Sequence, residues 1–91
     1  MERDARPAEI ERRLEAAFDP ESVLVEDESH LHAGHAGAQD GRGHFRVSIV
    51  SEAFEGMNPI QRHRAVYAAM GELMQTDIHA LSIEALASSE L

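Results

Sequence analysis

The sequence predicts a single α+β domain with a three-stranded mixed sheet and helices packed on one face of that sheet. Apolar residues recur with a helical period over residues 8–18, and they alternate with a period of two over residues 44–51 and 79–85. A second helical segment separates the two alternating segments, so the predicted order of elements is α-β-β-α-β. With 91 residues the chain is expected to form one domain, 1–91, with its core at about residues 8–86.

The first helix is predicted over residues 8–18, where the apolar positions form one stripe and charged residues occupy the remaining surface. Pro7 suits the first turn of this helix. The pair Asp19-Pro20 ends it, because the residue before a proline avoids the helical region. A first strand is predicted over residues 22–28, where two β-branched valines favour extended backbone.

A long loop is predicted over residues 29–43, which contain four glycines, three alanines and three histidines without an apolar period. The second strand follows over residues 44–51, because Phe45, Val47 and Ile49 alternate with polar side chains. We expect the first two strands to pair antiparallel.

The second helix is predicted from Asn58-Pro59, which supply an N-cap and a favoured first helical residue, to about Gln75. Its predicted apolar face consists of Ile60, His63, Val66, Tyr67, Met70, Leu73 and Met74. A third strand over residues 79–85 precedes a frayed tail. Because a β-α-β crossover places its strands parallel in one sheet, we expect the third strand to pair with the second.

The composition excludes several classes of function. A formal charge of -9 opposes binding to phosphate backbones. The absence of cysteine excludes disulfides, thiol nucleophiles and iron–sulfur sites of the usual all-cysteine type built by this chain alone. No apolar run approaches the roughly 20 residues needed to cross a bilayer, and the first residues lack an apolar signal segment. The expected location is therefore the cytoplasm, without a membrane partner.

Histidines are the candidate chemical groups of this sequence. The run from His30 to His35 contains three imidazoles in six residues, and imidazole is a common ligand of borderline metals. The expected strand pairing brings this run to the same edge of the sheet as His44 and His79. Metal ligation and a solvated polar loop both remain open for the run. We interpret His44 as a surface residue at a strand end and His63 as a hydrogen-bonded structural histidine.

No catalytic constellation can be assembled from this sequence, so we predict that the protein is not an enzyme. A nucleic-acid-binding module is the rival interpretation, because the run from Phe54 to Gly56 precedes a helix that carries Arg62 and Arg64. These two arginines, together with Glu72, are predicted to face solvent. The acidity of the chain argues against this interpretation.

Four motifs, in their order and spacing, resemble the BolA family: DESHLHAGHAG, HFRVSIVSEAFEG, QRHRAVY and IHALSIEA. The resemblance covers roughly residues 8–85. It implies the class II KH-like α+β fold of that family, which agrees with the elements derived above. It also implies a partner, a monothiol glutaredoxin of the CGFS type, with which a BolA-like protein shares a [2Fe-2S] cluster in a heterodimer.

The resemblance further implies how such a cluster is held. The glutaredoxin cysteine and a glutathione thiol supply the sulfur ligands, and the BolA-like chain supplies histidine. His79 matches the histidine of the IHALSI motif, and His35 best matches the loop ligand, with His30 and His32 as neighbouring candidates. No cluster is expected in the isolated protein.

The predicted function is therefore that of a non-catalytic adaptor in iron–sulfur cluster trafficking or iron sensing. The alternative also comes from the resemblance, because some bacterial members of the family are described as transcriptional regulators linked to cell shape and stress. In that case Arg62 and Arg64 are the candidate DNA contacts.

Overall fold

The computed structural model describes residues 1–32 and 41–91, and it confirms the predicted α+β class. The strands of the described residues are β1 (Ser22–Asp27), β2 (Gly43–Val50) and β3 (Ile78–Leu86). The helices of the described residues are α1 (Arg6–Phe18), α2 (Pro59–Met70) and α3 (Leu73–Thr76). Short 3-10 turns cover Arg3–Ala5, Ser29–His32, Glu52–Phe54 and Ser88–Glu90.

The sheet has the predicted pairing, with strand order β1-β2-β3 in the described part of the chain. β1 pairs antiparallel with β2, and β3 pairs parallel with β2. Phe45, Val47 and Ile49 of β2 are buried, whereas their neighbours along the strand are less buried. This alternation gives the sheet one face that packs on the helices and one face without them.

The core lies between the sheet and the helices. Ile10 and Leu14 of α1 are fully buried, as are Val66 and Met70 of α2. Phe54 closes one end of the core, because it is also fully buried and its ring lies near that of Phe18. Within the described ranges, no helix has both the length and the apolar character needed to cross a membrane.

The second helix is shorter than predicted. α2 ends at Met70, and the separate helix α3 begins at Leu73, so the prediction of one helix to about Gln75 was wrong. The break lies at Gly71, whose φ of 57° and ψ of -131° are incompatible with a continuing right-handed helix. Glycine adopts a positive φ without the steric cost that other residues meet there.

The face that α2 buries is also rotated from the predicted one. Ile60 is 63% exposed and His63 is exposed, so the interpretation of His63 as a structural histidine on the apolar face was wrong. Val66 and Met70 are buried as predicted, but the stripe continues through Arg62, whose side chain is only 12% exposed. An arginine can occupy such a stripe because its stem is apolar. The prediction that Arg62 faces solvent was therefore wrong.

The C-terminal segment packs against the domain, so the prediction of a frayed tail was wrong. Ala87 is buried, and residues Ser88–Glu90 form a 3-10 turn. The carboxylate of Glu90 accepts hydrogen bonds from Arg62 and from the backbone N–H of Ala87, both at 2.6 Å. Arg62 also donates to the carbonyl oxygen of Ala85 at 3.0 Å, so it ties α2 to the end of β3.

The ion pairs of Glu9 give the stability of this domain an expected pH dependence. Arg12 and Arg13 donate to the Glu9 carboxylate at 2.7 to 2.9 Å. These hydrogen bonds, that of Arg12 first, lower the pKa of Glu9 from its ordinary value of 4.5 to about 2. A carboxyl group with a lowered pKa in the folded state stabilises the fold above its unfolded pKa and loses that effect as pH falls through the folded pKa.

We therefore expect the free energy of unfolding to fall as pH is lowered from about 4.5 to about 2. Glu9→Gln should make this fall less steep in urea denaturation measured across that pH window. Glu11→Gln is the matched control, because Glu11 makes no ion pair with the residues that the structure describes. An unchanged slope in Glu9→Gln would contradict the assignment.

Candidate metal-ligand site

A β-bulge at the start of β3 determines the position of His79. Gly43 of β2 pairs with Ile78, but the next residue, His44, pairs with Ala80, so His79 is one extra residue in β3. Ile78 is buried in the core, whereas His79 and Ala80 are both exposed. Bulges of this kind redirect side chains at the ends of sheets. The bulge therefore keeps the His79 imidazole out of the core.

Among the described residues, two side chains lie close to this imidazole. The Nη2 atom of Arg42 is 3.2 Å from Nδ1 of His79. The ring of His44 lies beside that of His79, with 5.1 Å between the ring centroids and a tilt of 49°. The parallel pairing therefore brings His44 and His79 to one edge of the sheet, as predicted.

The predicted loop begins at the same edge. The backbone N–H of His44 donates to Ser29 Oγ at 3.1 Å, and the backbone N–H of Glu28 donates to the His44 carbonyl at 2.8 Å. These bonds fix the start of the 3-10 turn Ser29–His32, in which His30 is exposed. His32 ends this turn, and His35 lies outside the described residues.

Gly43 allows the close approach of the segments at this edge. A Cβ atom added to Gly43 would lie 2.7 Å from the Phe45 ring and 2.8 Å from Ser29 Oγ, which is closer than such atoms approach in proteins. The backbone N–H of Gly43 also donates to the Asp77 carbonyl at 2.8 Å. Glycine is therefore required here by packing, although Gly43 was assigned to the loop from the sequence.

Arg6 is a structural residue of the site that sequence reasoning missed. Its Nη2 donates to the Gly41 carbonyl at 2.6 Å, and its Nε donates to the Asp77 carboxylate at 3.2 Å. Gly41 precedes Arg42, and Asp77 lies two residues before His79. Arg6 is buried, and it links the segment that carries Arg42 to the segment that carries His79. It lies before the amphipathic stripe of α1, so the periodic pattern carries no signal for this role.

We expect Arg6→Ala to lower the free energy of unfolding by about 2 kcal/mol, because it leaves the mostly buried Asp77 carboxylate without its cation. Urea denaturation at neutral pH measures this change. Arg12→Ala is the matched control, since its side chain is 65% exposed and pairs within α1 only with Glu9. Its effect should stay below about 1 kcal/mol. Equal losses in the two variants would contradict a linking role for Arg6.

The donor set of this site fits a metal centre only if other molecules complete it. The chain has no cysteine, and the described ranges contain no group of three His, Cys, Asp or Glu side chains able to hold a metal ion. His79 can donate one imidazole nitrogen from an exposed position. Any thiolate ligand must come from another molecule.

The two candidate nucleic-acid contacts lie in different environments. Arg62 is held by the Met57 and Ala85 carbonyls and by Glu90. Arg64 is exposed and makes no ion pair with the described residues. It lines a mainly apolar groove of about 300 Å³ on the outer face of α2, formed by Pro59, Ile60, His63, Arg64 and Tyr67. Phe54 of the rival motif is a core residue.

Comparisons with known proteins match nearly the whole chain. The family model for BolA-like protein matches residues 14–90. The chloroplastic protein BOLA1 of Arabidopsis thaliana is 43% identical over 93% of this chain, which spans 55% of the length of that relative. A protein from Sinorhizobium sp, described as an uncharacterized protein in the cobS 5' region, is 45% identical over 89% of each chain. The solved BolA domain of SufE1 from Arabidopsis thaliana superposes with a TM-score of 0.85 at 38% identity, covering 96% of both chains.

Proposed function

Because the chain belongs to the BolA-like protein family, we propose that it is a non-catalytic adaptor that shares a [2Fe-2S] cluster with a monothiol glutaredoxin. Its role would be cluster trafficking or iron sensing. The observation that carries this proposal is the exposed imidazole of His79, held on a bulge at the sheet edge of a chain without cysteine. Such a chain can contribute nitrogen ligands to a cluster whose sulfur ligands come from its partner.

His79 is the first ligand in this proposal. The second comes from the histidine-rich loop, with His35 as the main candidate and His30 and His32 as alternatives. The glutaredoxin cysteine and the glutathione thiol complete the set. When bound, the cluster supplies a transferable iron centre, and imidazole in place of thiolate raises its reduction potential. This chain orients the His79 imidazole through the bulge, and its hydrogen bonds at Ser29 and Glu28 fix the start of the loop.

The proposal that the protein is not an enzyme agrees with the hydrogen bonding of one buried hydroxyl group, that of Ser51. Ser51 is buried, but its hydroxyl donates to the Phe18 carbonyl at 2.6 Å and accepts from the backbone N–H of Ala53. It therefore caps the turn at Glu52–Phe54 and is not paired with a general base. An activated nucleophile needs such a base within hydrogen-bond distance.

The experiment is reconstitution with a monothiol glutaredoxin, glutathione, iron and sulfide. We expect the mixture to develop the brown colour and visible circular dichroism of a [2Fe-2S] cluster, and the isolated chain to remain colourless. A stable cluster on the isolated chain would contradict ligand sharing. Failure of the mixture to hold any cluster would contradict the adaptor proposal itself.

The same preparation tests the DNA-binding alternative, which no described feature favours. Phosphate contacts weaken steeply as salt rises, so we expect negligible duplex binding near physiological ionic strength. Specific binding there that is lost in Arg64→Ala would establish the alternative.

The cytoplasmic location remains a prediction, and the Arabidopsis relative is described as chloroplastic.

A further inference from the structure

We propose that Arg42 acts as a latch on His79: its guanidinium holds the imidazole in a form that cannot bind metal, and it must move before His79 becomes a ligand. The observation is the 3.2 Å contact between Arg42 Nη2 and His79 Nδ1. This inference rests on the proposed function, because it concerns the regulation of the same imidazole.

The chemistry of the contact defines the state of the ring. A guanidinium group only donates hydrogen bonds, so Nδ1 of His79 must accept. In the neutral imidazole one nitrogen accepts and the other carries the proton. The contact with Arg42 therefore selects the form in which Nε2 of His79 carries the proton.

Neither nitrogen of His79 can bind a metal while this contact persists. A neutral imidazole that binds metal through one nitrogen carries its proton on the other. A metal bound at Nδ1 would use the same electron pair that accepts the hydrogen bond from Arg42. Binding through Nε2 moves the proton to Nδ1, where it would face the donor N–H groups of Arg42. Ligation in either orientation therefore requires Arg42 to turn away.

The fold holds the two parts of the latch together while leaving their side chains near solvent. Arg6 bonds to Gly41 and Asp77, next to the segments that carry Arg42 and His79. The Gly43 N–H bond to the Asp77 carbonyl joins these segments a second time. The Arg42–His79 hydrogen bond is itself exposed. Release of His79 therefore requires rotation of the arginine side chain.

The first test is the tautomer of His79 in the isolated protein, measured by ¹⁵N NMR of the imidazole ring at about pH 8, where histidine is normally neutral. We expect a protonated Nε2 and an unprotonated Nδ1 in the wild type, and a mixture of both forms in Arg42→Ala. Arg46→Ala is the matched control, because it removes a nearby arginine that pairs with Glu28. A wild-type ring with its proton on Nδ1 would overturn the latch.

The second test uses Co²⁺ alone as the probe, so that it does not depend on glutaredoxin or on a cluster. We expect Arg42→Ala to bind Co²⁺ at His79 about three- to tenfold more tightly than the wild type, as loss of one exposed hydrogen bond implies. Paramagnetic broadening of the His79 ring signals measures this binding. Arg46→Ala should leave the affinity unchanged.

An equal gain in both variants would overturn the latch, because it would reflect loss of positive charge alone. An unchanged affinity in Arg42→Ala would overturn it as well. Failure of the proposed function would appear separately, as absence of any shared cluster in the mixture with glutaredoxin, and would leave the Co²⁺ result standing.

Discussion

His79→Ala is expected to abolish the shared [2Fe-2S] cluster and to leave the apo domain folded. The bulge exposes His79 while its neighbour Ile78 is buried, so the imidazole is positioned by the sheet and adds little to the core. β3 contains no second histidine, and the neighbouring His44 on β2 is half-buried with its Nε2 atom shielded from solvent, so it is poorly placed to replace the ligand. Loss of the cluster should therefore be complete.

The measurement is visible circular dichroism of the reconstituted heterodimer, together with far-ultraviolet spectra of the apo variants. His63→Ala is the matched control, since its imidazole is exposed on α2 and lines the groove there. It should bind the cluster like the wild type. An unchanged cluster signal in His79→Ala would contradict the assignment of this ligand.

The loop ligand is expected to behave differently from His79. His30 and His32 lie within a few residues of His35, so either can take its place at an entropic cost for reordering the loop. His35→Ala should therefore leave a weaker or spectrally altered cluster.

The order and pairing of the strands could be predicted because the rules that determine them hold for sheets in general. Alternation along β2 and the parallel placement of the strands in a β-α-β unit are general properties, so the meeting of His44 and His79 at one edge was predictable. The bulge was not, because it depends on how Gly43 pairs with the segment before β3. No periodic pattern encodes an extra residue in one strand.

The error in the buried face of α2 and the missed role of Arg6 have the same physical cause. In both cases an arginine has a hydrogen-bond partner far away in the sequence. Arg62 donates to Ala85, 23 residues away, and Arg6 donates to Asp77, 71 residues away. A hydrophobicity pattern treats every arginine as a surface residue and therefore could not predict either contact. Because Arg62 occupies the buried stripe, α2 is rotated and His63 faces outward.

Phe54→Ala is expected to cost about 3–5 kcal/mol of unfolding free energy, the range for removal of a fully buried phenylalanine. The Phe54 ring lies 4.9 Å from that of Phe18, centroid to centroid, at the end of α1. Its truncation therefore leaves a cavity between α1 and the turn after β2. Nearby backbone cannot collapse into this cavity freely, because Ser51 is bonded to both the Phe18 carbonyl and the Ala53 N–H.

This cost is large for so small a domain, since natural proteins of this size have about 5–14 kcal/mol of stability in total. Urea denaturation should show a lower midpoint, and the melting temperature should fall by more than about 10 °C. Ile60→Ala is the matched control, because this aliphatic side chain is 63% exposed, and its cost should stay below about 1 kcal/mol. If Phe54→Ala costs no more than Ile60→Ala, Phe54 is not a core residue, and the run from Phe54 to Gly56 regains its interpretation as a nucleic-acid-binding motif.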